Sequence, residues 1–181
     1  MFSRLRALLA PYWLPLRVVG TFIGLITVFF SLMTYAPIVE RFDIGEALAR
    51  VSAHLSWLLL QGFSAVAGHR VDLVGGTSLA TDGFSVGVGA ACSGAVPMMI
   101  YLAAVLAYPA GPRAKLLGAV LGLGVIYVAN VLRVAALFLI GLYLSQYFHD
   151  THVYVAQALV VCIAVTTWLF WAGRFAHAVG R

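Results

Sequence analysis

Cys92, Arg133 and His152 are three polar residues set in or beside long apolar stretches, and each type can take part in covalent chemistry. Cys92 lies in Gly89-Ala-Ala-Cys-Ser-Gly94, where a glycine-rich segment gives way to an apolar one. A free cysteine is commonly a small buried hydrophobe. Cys162, among Val161, Ile163 and Ala164, reads as one that simply packs. Cys92 differs by position. A helix start offers unpaired N–H groups and positive potential, a setting that suits a thiolate nucleophile. Gly94 allows a substrate backbone to approach, and Pro97 is tolerated in a first turn.

Arg133 is flanked by Val131-Leu132 and by Val134-Ala-Ala-Leu-Phe138. Facing lipid at mid-depth, such an arginine costs about 3 kcal/mol or more. Snorkelling to an interface is the plain alternative. About 18 residues from Leu116, at roughly 1.5 Å each, bring Arg133 near the outer face. Asn130 lies three residues earlier on the same helical face, placed to orient the guanidinium. His152, in Phe148-His-Asp-Thr-His-Val-Tyr154, opens the last apolar stretch, with Thr151 or Asp150 as its cap. A lone interfacial histidine usually does nothing, and His149 competes for any role. A thiol, a cation and an imidazole at one depth are nevertheless the parts of an acyl-transfer site. The five histidines form no His-x-x-x-His pair, so neither a metal site nor a cofactor is expected.

The elements that must position these groups belong to a membrane protein. Of 181 residues, 63% are hydrophobic and 9% charged, whereas soluble domains are about half apolar and about a quarter charged. The net charge of +5 comes from basic residues scattered around apolar blocks, which points to membrane orientation and not to nucleic acid. Two cysteines cannot make a disulfide framework. A span needs about 20 apolar residues. Leu16–Ala36 qualifies, and is too long for a signal-peptide core. Cys92–Tyr108 qualifies with flanking residues, as do the stretch from Leu116 towards Phe148 and Val153–Trp171. Glu46, Arg50 and His54 recur at spacing four, so Ile44–Val66 reads as an amphipathic interfacial helix. Arg70–Gly89, with turn signals at Gly75-Gly76 and Asp82-Gly83, reads as a small external β-hairpin.

The expected fold is therefore an all-α polytopic membrane bundle of about four spans, an interfacial helix and a hairpin before the cysteine helix. It forms one membrane domain, divided into 1–66, a hairpin at 67–91, core spans at 92–172 and a tail at 173–181. With the N-terminus inside, Arg4, Arg6, Arg17, Arg113, Lys115, Arg174 and Arg181 fall on the cytoplasmic side. All the acids (Glu40, Asp43, Glu46, Asp72, Asp82 and Asp150) then fall outside. That orientation places Cys92, Arg133 and His152 at the outer ends of three spans.

At these residues the sequence resembles the exosortase/archaeosortase family, most closely the exosortase H subgroup. The resemblance rests on Ala91-Cys-Ser-Gly94, Asn130-Val-Leu-Arg133 and His152-Val-Tyr-Val-Ala-Gln-Ala-Leu159. It runs from about Gly68 to Trp171. An aromatic residue is usual in that subgroup where this chain has Ala156, and most members have about eight spans. The resemblance implies a membrane-embedded cysteine transpeptidase of the inner (plasma) membrane, with Cys92, Arg133 and His152 catalytic. Ser93, Gly94, Asn130 and His149 would support them. The implied partners are membrane-anchored proteins with a C-terminal sorting signal, the bilayer, and an acceptor nucleophile that the sequence does not identify. The implied path runs through a thioester on Cys92. Two other readings use the same residues: a membrane cysteine protease releasing to water, and a non-catalytic membrane subunit in which Arg133 pairs with an acid on another chain.

Overall fold

The computed structural model describes residues 13–35, 43–67 and 70–176. Arg4, Arg6, Ala36, Glu40, Gly68 and Arg181 lie outside the described residues. Among the described residues the main elements are five helices and a small sheet: α1 (Trp13–Thr34), α2 (Ile44–Ala67), β1 (Asp72–Val74), β2 (Ser78–Thr81), β3 (Phe84–Gly87), α3 (Ala95–Ala107), α4 (Pro112–Tyr143) and α5 (Ser145–Phe175). α1, α4 and α5 are long and apolar enough to cross a membrane, while α3 is a shorter apolar helix. The 13 residues of α3 reach about 20 Å, against a hydrocarbon core of about 30 Å.

α2 shows why its sequence reads as amphipathic. Asp43 caps it, its side chain accepting from the Glu46 N–H at 2.9 Å. Glu46 pairs with Arg50 on the exposed face. The opposite face is small: Ala49, Ser52, Ala53 and Ser56 are fully buried, which lets α2 pack closely on α4. Trp57 and Gln61 both donate to the Val71 carbonyl, at 2.9 and 2.7 Å, tying the helix to the entrance of the sheet.

The expected hairpin is a three-stranded antiparallel meander, β1-β2-β3. The two glycine turns each reverse the chain once, at Gly75-Gly76 and at Gly83, all with positive φ. Two reversals make three strands, and the central one carries the buried Leu79. The meander rests on α2 and α4, so its inner face is covered by protein.

α4 is the central post, packed against α2, α3 and α5, while α1 packs on α3. Two apolar clusters form along it. One joins Ala49, Ala53, Leu79, Val88, Val134 and Phe138 from α2, the sheet side and the second half of α4. The other joins Tyr101, Val105, Ile126, Val160 and Trp171 from α3, the first half of α4 and α5.

Candidate active site

Cys92 closes a 3₁₀ turn, Ala90–Cys92, and stands ahead of α3 rather than in its first turn. Gly94 is the N-cap of α3. The expectation that Cys92 itself opens the helix is corrected on this point, and the reason is local. The chain must turn from the sheet into the bundle, and Gly94 makes that turn at φ +82°, a conformation that L side chains rarely adopt. A Cβ there would also lie 3.0 Å from the Asn130 side chain. Both facts account for glycine without any substrate. Pro97 falls in the first turn of α3, as expected.

Asn130 is fully buried and connects the elements. Its Nδ2 donates to the Cys92 carbonyl at 2.9 Å. Its Oδ1 accepts from an Arg133 terminal nitrogen at 3.5 Å, the outer limit of a useful hydrogen bond. One amide thus holds the turn that carries the thiol and touches the guanidinium. Ser93 is also fully buried. Its hydroxyl donates to the Ala90 carbonyl at 2.6 Å and accepts from the Ala95 N–H at 3.2 Å, bracing the turn from inside. Cys92 is half-buried against the sheet-side cluster.

Arg133 is only 8% exposed. It lies 21 residues beyond Pro112 along α4, about 32 Å at 1.5 Å per residue, in the second half of α4, whose Val134 and Phe138 join the sheet-side cluster. Among the described residues no carboxylate pairs with it, and its Nε makes no hydrogen bond. A buried guanidinium with no counter-charge is costly.

His152 is not the opening residue of its helix. α5 is continuous from Ser145, and His152 sits in a π-helical turn, Thr151–Val155, inside it. The expected caps are therefore absent: Asp150 and Thr151 both have helical backbone, and no side chain caps that turn. A π-turn inserts one residue per turn and commonly marks a functional position. His152 is half-buried, and its ring stacks on Phe148 with centroids 5.8 Å apart. Phe148 in turn meets Phe84 of the meander edge-on at 6.1 Å. The Nδ1 atom of His152 is enclosed without a hydrogen-bond partner. His149, the competing histidine, is exposed. Cys162 is exposed on the outside of α5 instead of packed, which corrects the reading made from its neighbours.

The geometry links the Cys92 backbone to Arg133 through Asn130, and His152 to the meander through Phe148. Sequence reasoning missed Ser52 and Ser56. Both are fully buried on α2. Ser52 lies within 3.4 Å of the Ser93 carbonyl and 3.3 Å of the Tyr127 hydroxyl, and Ser56 donates to the Val131 carbonyl at 3.0 Å. Their i, i+4 spacing, opposite the charged stripe of α2, was the available signal.

A multi-pass helical membrane protein, with a small sheet against one end and a cysteine, an arginine and a histidine near it, is the class that fold and residues define. The family model described as "Transmembrane exosortase (Exosortase_EpsH)" matches residues 6–171. The chain belongs to that family. No curated protein and no solved structure matches it.

Proposed function

We propose that the protein is a cysteine transpeptidase that cleaves C-terminal sorting signals of exported, membrane-anchored proteins. The observation that carries this reading is Arg133, buried with no carboxylate paired to it among the described residues and joined to the Cys92 backbone through Asn130. A desolvated guanidinium without a counter-charge, tied through one amide to the turn that carries a thiol, is suited to an anion that forms only during reaction. In the proposed sequence, the Cys92 Sγ attacks the scissile carbonyl carbon, and the oxyanion develops towards Arg133. His152 takes the thiol proton and returns it to the leaving amine as the C–N bond breaks. The resulting thioester is resolved by an acceptor nucleophile. His152 is preferred to His149 as the base because it is half-buried and its ring stacks on Phe148 beside the meander, whereas His149 is exposed.

The reading places the protein in the inner (plasma) membrane with the sheet end outside. Arg17, Arg113, Lys115 and Arg174 lie near the opposite ends of α1, α4 and α5 from those beside the meander, the arrangement that favours the cytoplasmic side.

Mass spectrometry of a tagged substrate co-expressed with the protein tests this reading. A new C-terminus bearing an added group is the expected product. A free carboxylate would make the protein a protease releasing to water. Unchanged processing with Cys92→Ala would end the catalytic reading and leave Arg133 as the partner of an acid on another chain.

A further inference from the structure

A groove of about 410 Å³ runs between α1, α3 and α5, far along the bundle from Cys92. Its walls are apolar, with Val18 and Phe22 on one side, Ala104 and Ala107 at the back, and Ala164 and Trp168 on the other. The short α3 leaves room there, since its 13 residues do not fill the membrane thickness that α1 and α5 reach. At one end the groove shares Val18 and Ala107 with a second cavity, of about 280 Å³, that contains Arg17, Lys115, Thr21 and Tyr108. An apolar slot thus opens into a pocket with two cations. Neither cation has a carboxylate partner among the described residues. Lys115 spends one donor on the Leu106 carbonyl at 2.5 Å, which closes the C-terminal end of α3 and holds the ammonium at the pocket. The groove wall continues into that pocket, the Trp168 ring standing edge-on to Tyr108 with 5.5 Å between centroids.

We infer that this composite cavity binds an anionic phospholipid, with an acyl chain in the groove and the phosphate between Arg17 and Lys115. The order of groups along the cavity matches the order in such a lipid: hydrocarbon, then negative charge. Basic pockets between membrane helices recognise anionic headgroups by this combination. A second protein helix fits less well, because the closed end would set two cations against its terminus without an acid to meet them. The inference is independent of the chemistry proposed for Cys92.

Native mass spectrometry of the purified full chain in detergent tests the proposal, with dioleoyl phosphatidylglycerol and dioleoyl phosphatidylcholine added in equal amounts. The expected result is retention of phosphatidylglycerol at least several-fold over phosphatidylcholine, unaffected by excess inorganic phosphate. Arg17→Gln should reduce that preference, and Arg17→Gln with Lys115→Gln should abolish it. Ala164→Trp, which fills the groove and leaves both cations, should lower retention of both lipids. Unchanged melting temperature of the Arg17→Gln variant shows that the fold is intact. Equal retention of the two lipids by the wild type, or an undiminished preference in the double variant, would overturn the proposal.

Discussion

Along its 32 residues α4 serves two regions built on different terms. In the first half, rings press onto bare backbone. A Cβ at Gly118 would lie 2.3 Å from the Trp171 indole, and one at Gly122 would lie 2.0 Å from the Tyr101 ring. The same two rings donate into α4, Trp171 to the Ala114 carbonyl at 2.8 Å and Tyr101 to the Gly118 carbonyl at 3.0 Å. Each of these polar atoms has its partner. The second half begins at Asn130, where the helix carries an amide and a guanidinium into protein interior. There Arg133 Nε and, on the facing helix, His152 Nδ1 are left without partners. In the first region the ring groups that donate into α4 are satisfied, as in an ordinary core, although the Trp168 indole N–H on α5 is left without a partner. The second holds unpaired polarity that folding alone does not reward, and that is where a site is to be sought.

The comparison breaks if the two halves respond alike to mutation. Cys92→Ala carries the largest expected effect: processing of a tagged substrate falls to background, while Cys162→Ala, on the exposed side of α5, leaves it at the wild-type level. Arg133→Lys comes next, with turnover reduced roughly 10²–10³-fold in the same assay, because lysine lacks the planar fork that stabilises an oxyanion. Arg133→Met sharpens the point. It should be as inactive, yet melt no lower than the wild type, since an apolar side chain carries no unpaired buried charge. Full turnover in either variant would make Arg133 an anchor.

The ring-locked half should show the reverse pattern. Gly122→Ala forces a methyl against Tyr101 and should lower stability by about 1–3 kcal/mol in a denaturant titration, with activity per folded molecule unchanged. Gly124→Ala, two residues on and facing open space, should be neutral or raise stability by up to about 1 kcal/mol. The smallest effect is expected at Ser52→Ala. It removes contacts to Ser93 and Tyr127 worth about 1 kcal/mol and should lower turnover a few-fold by loosening the turn that carries Cys92. An unchanged rate there would show that the turn is held by Asn130 alone.

Much of this was legible in the residues because it depends on local pattern. The charged stripe of α2, the turns at Gly75-Gly76 and Asp82-Gly83, and the length of α4 follow from periodicity and turn chemistry. Asn130 and Arg133 are three apart on a helix, so they share a face wherever that helix lies. The misreadings came where local pattern is silent. Apolar neighbours placed Cys162 in a core, but in a membrane helix apolar residues face outward as readily as inward. Asp150-Thr151 looks like a cap, yet the helix begins earlier and takes up an extra residue as a π-turn. The cysteine was assigned to a helix start, but Gly94 takes the cap because the backbone there needs a positive φ.

Composition and spacing alone determined that the chain is a polytopic membrane protein and which residues lie near the ends of its apolar stretches. Hydrophobicity and helical period are properties of the chain itself. Tertiary structure alone decided that Asn130 reaches the Cys92 carbonyl from another helix, that Arg133 is buried with no acid paired to it among the described residues, and that the small face of α2 closes on α4. Those facts depend on which surfaces meet, and the meeting is set by long-range packing around α4 that no short stretch of sequence encodes.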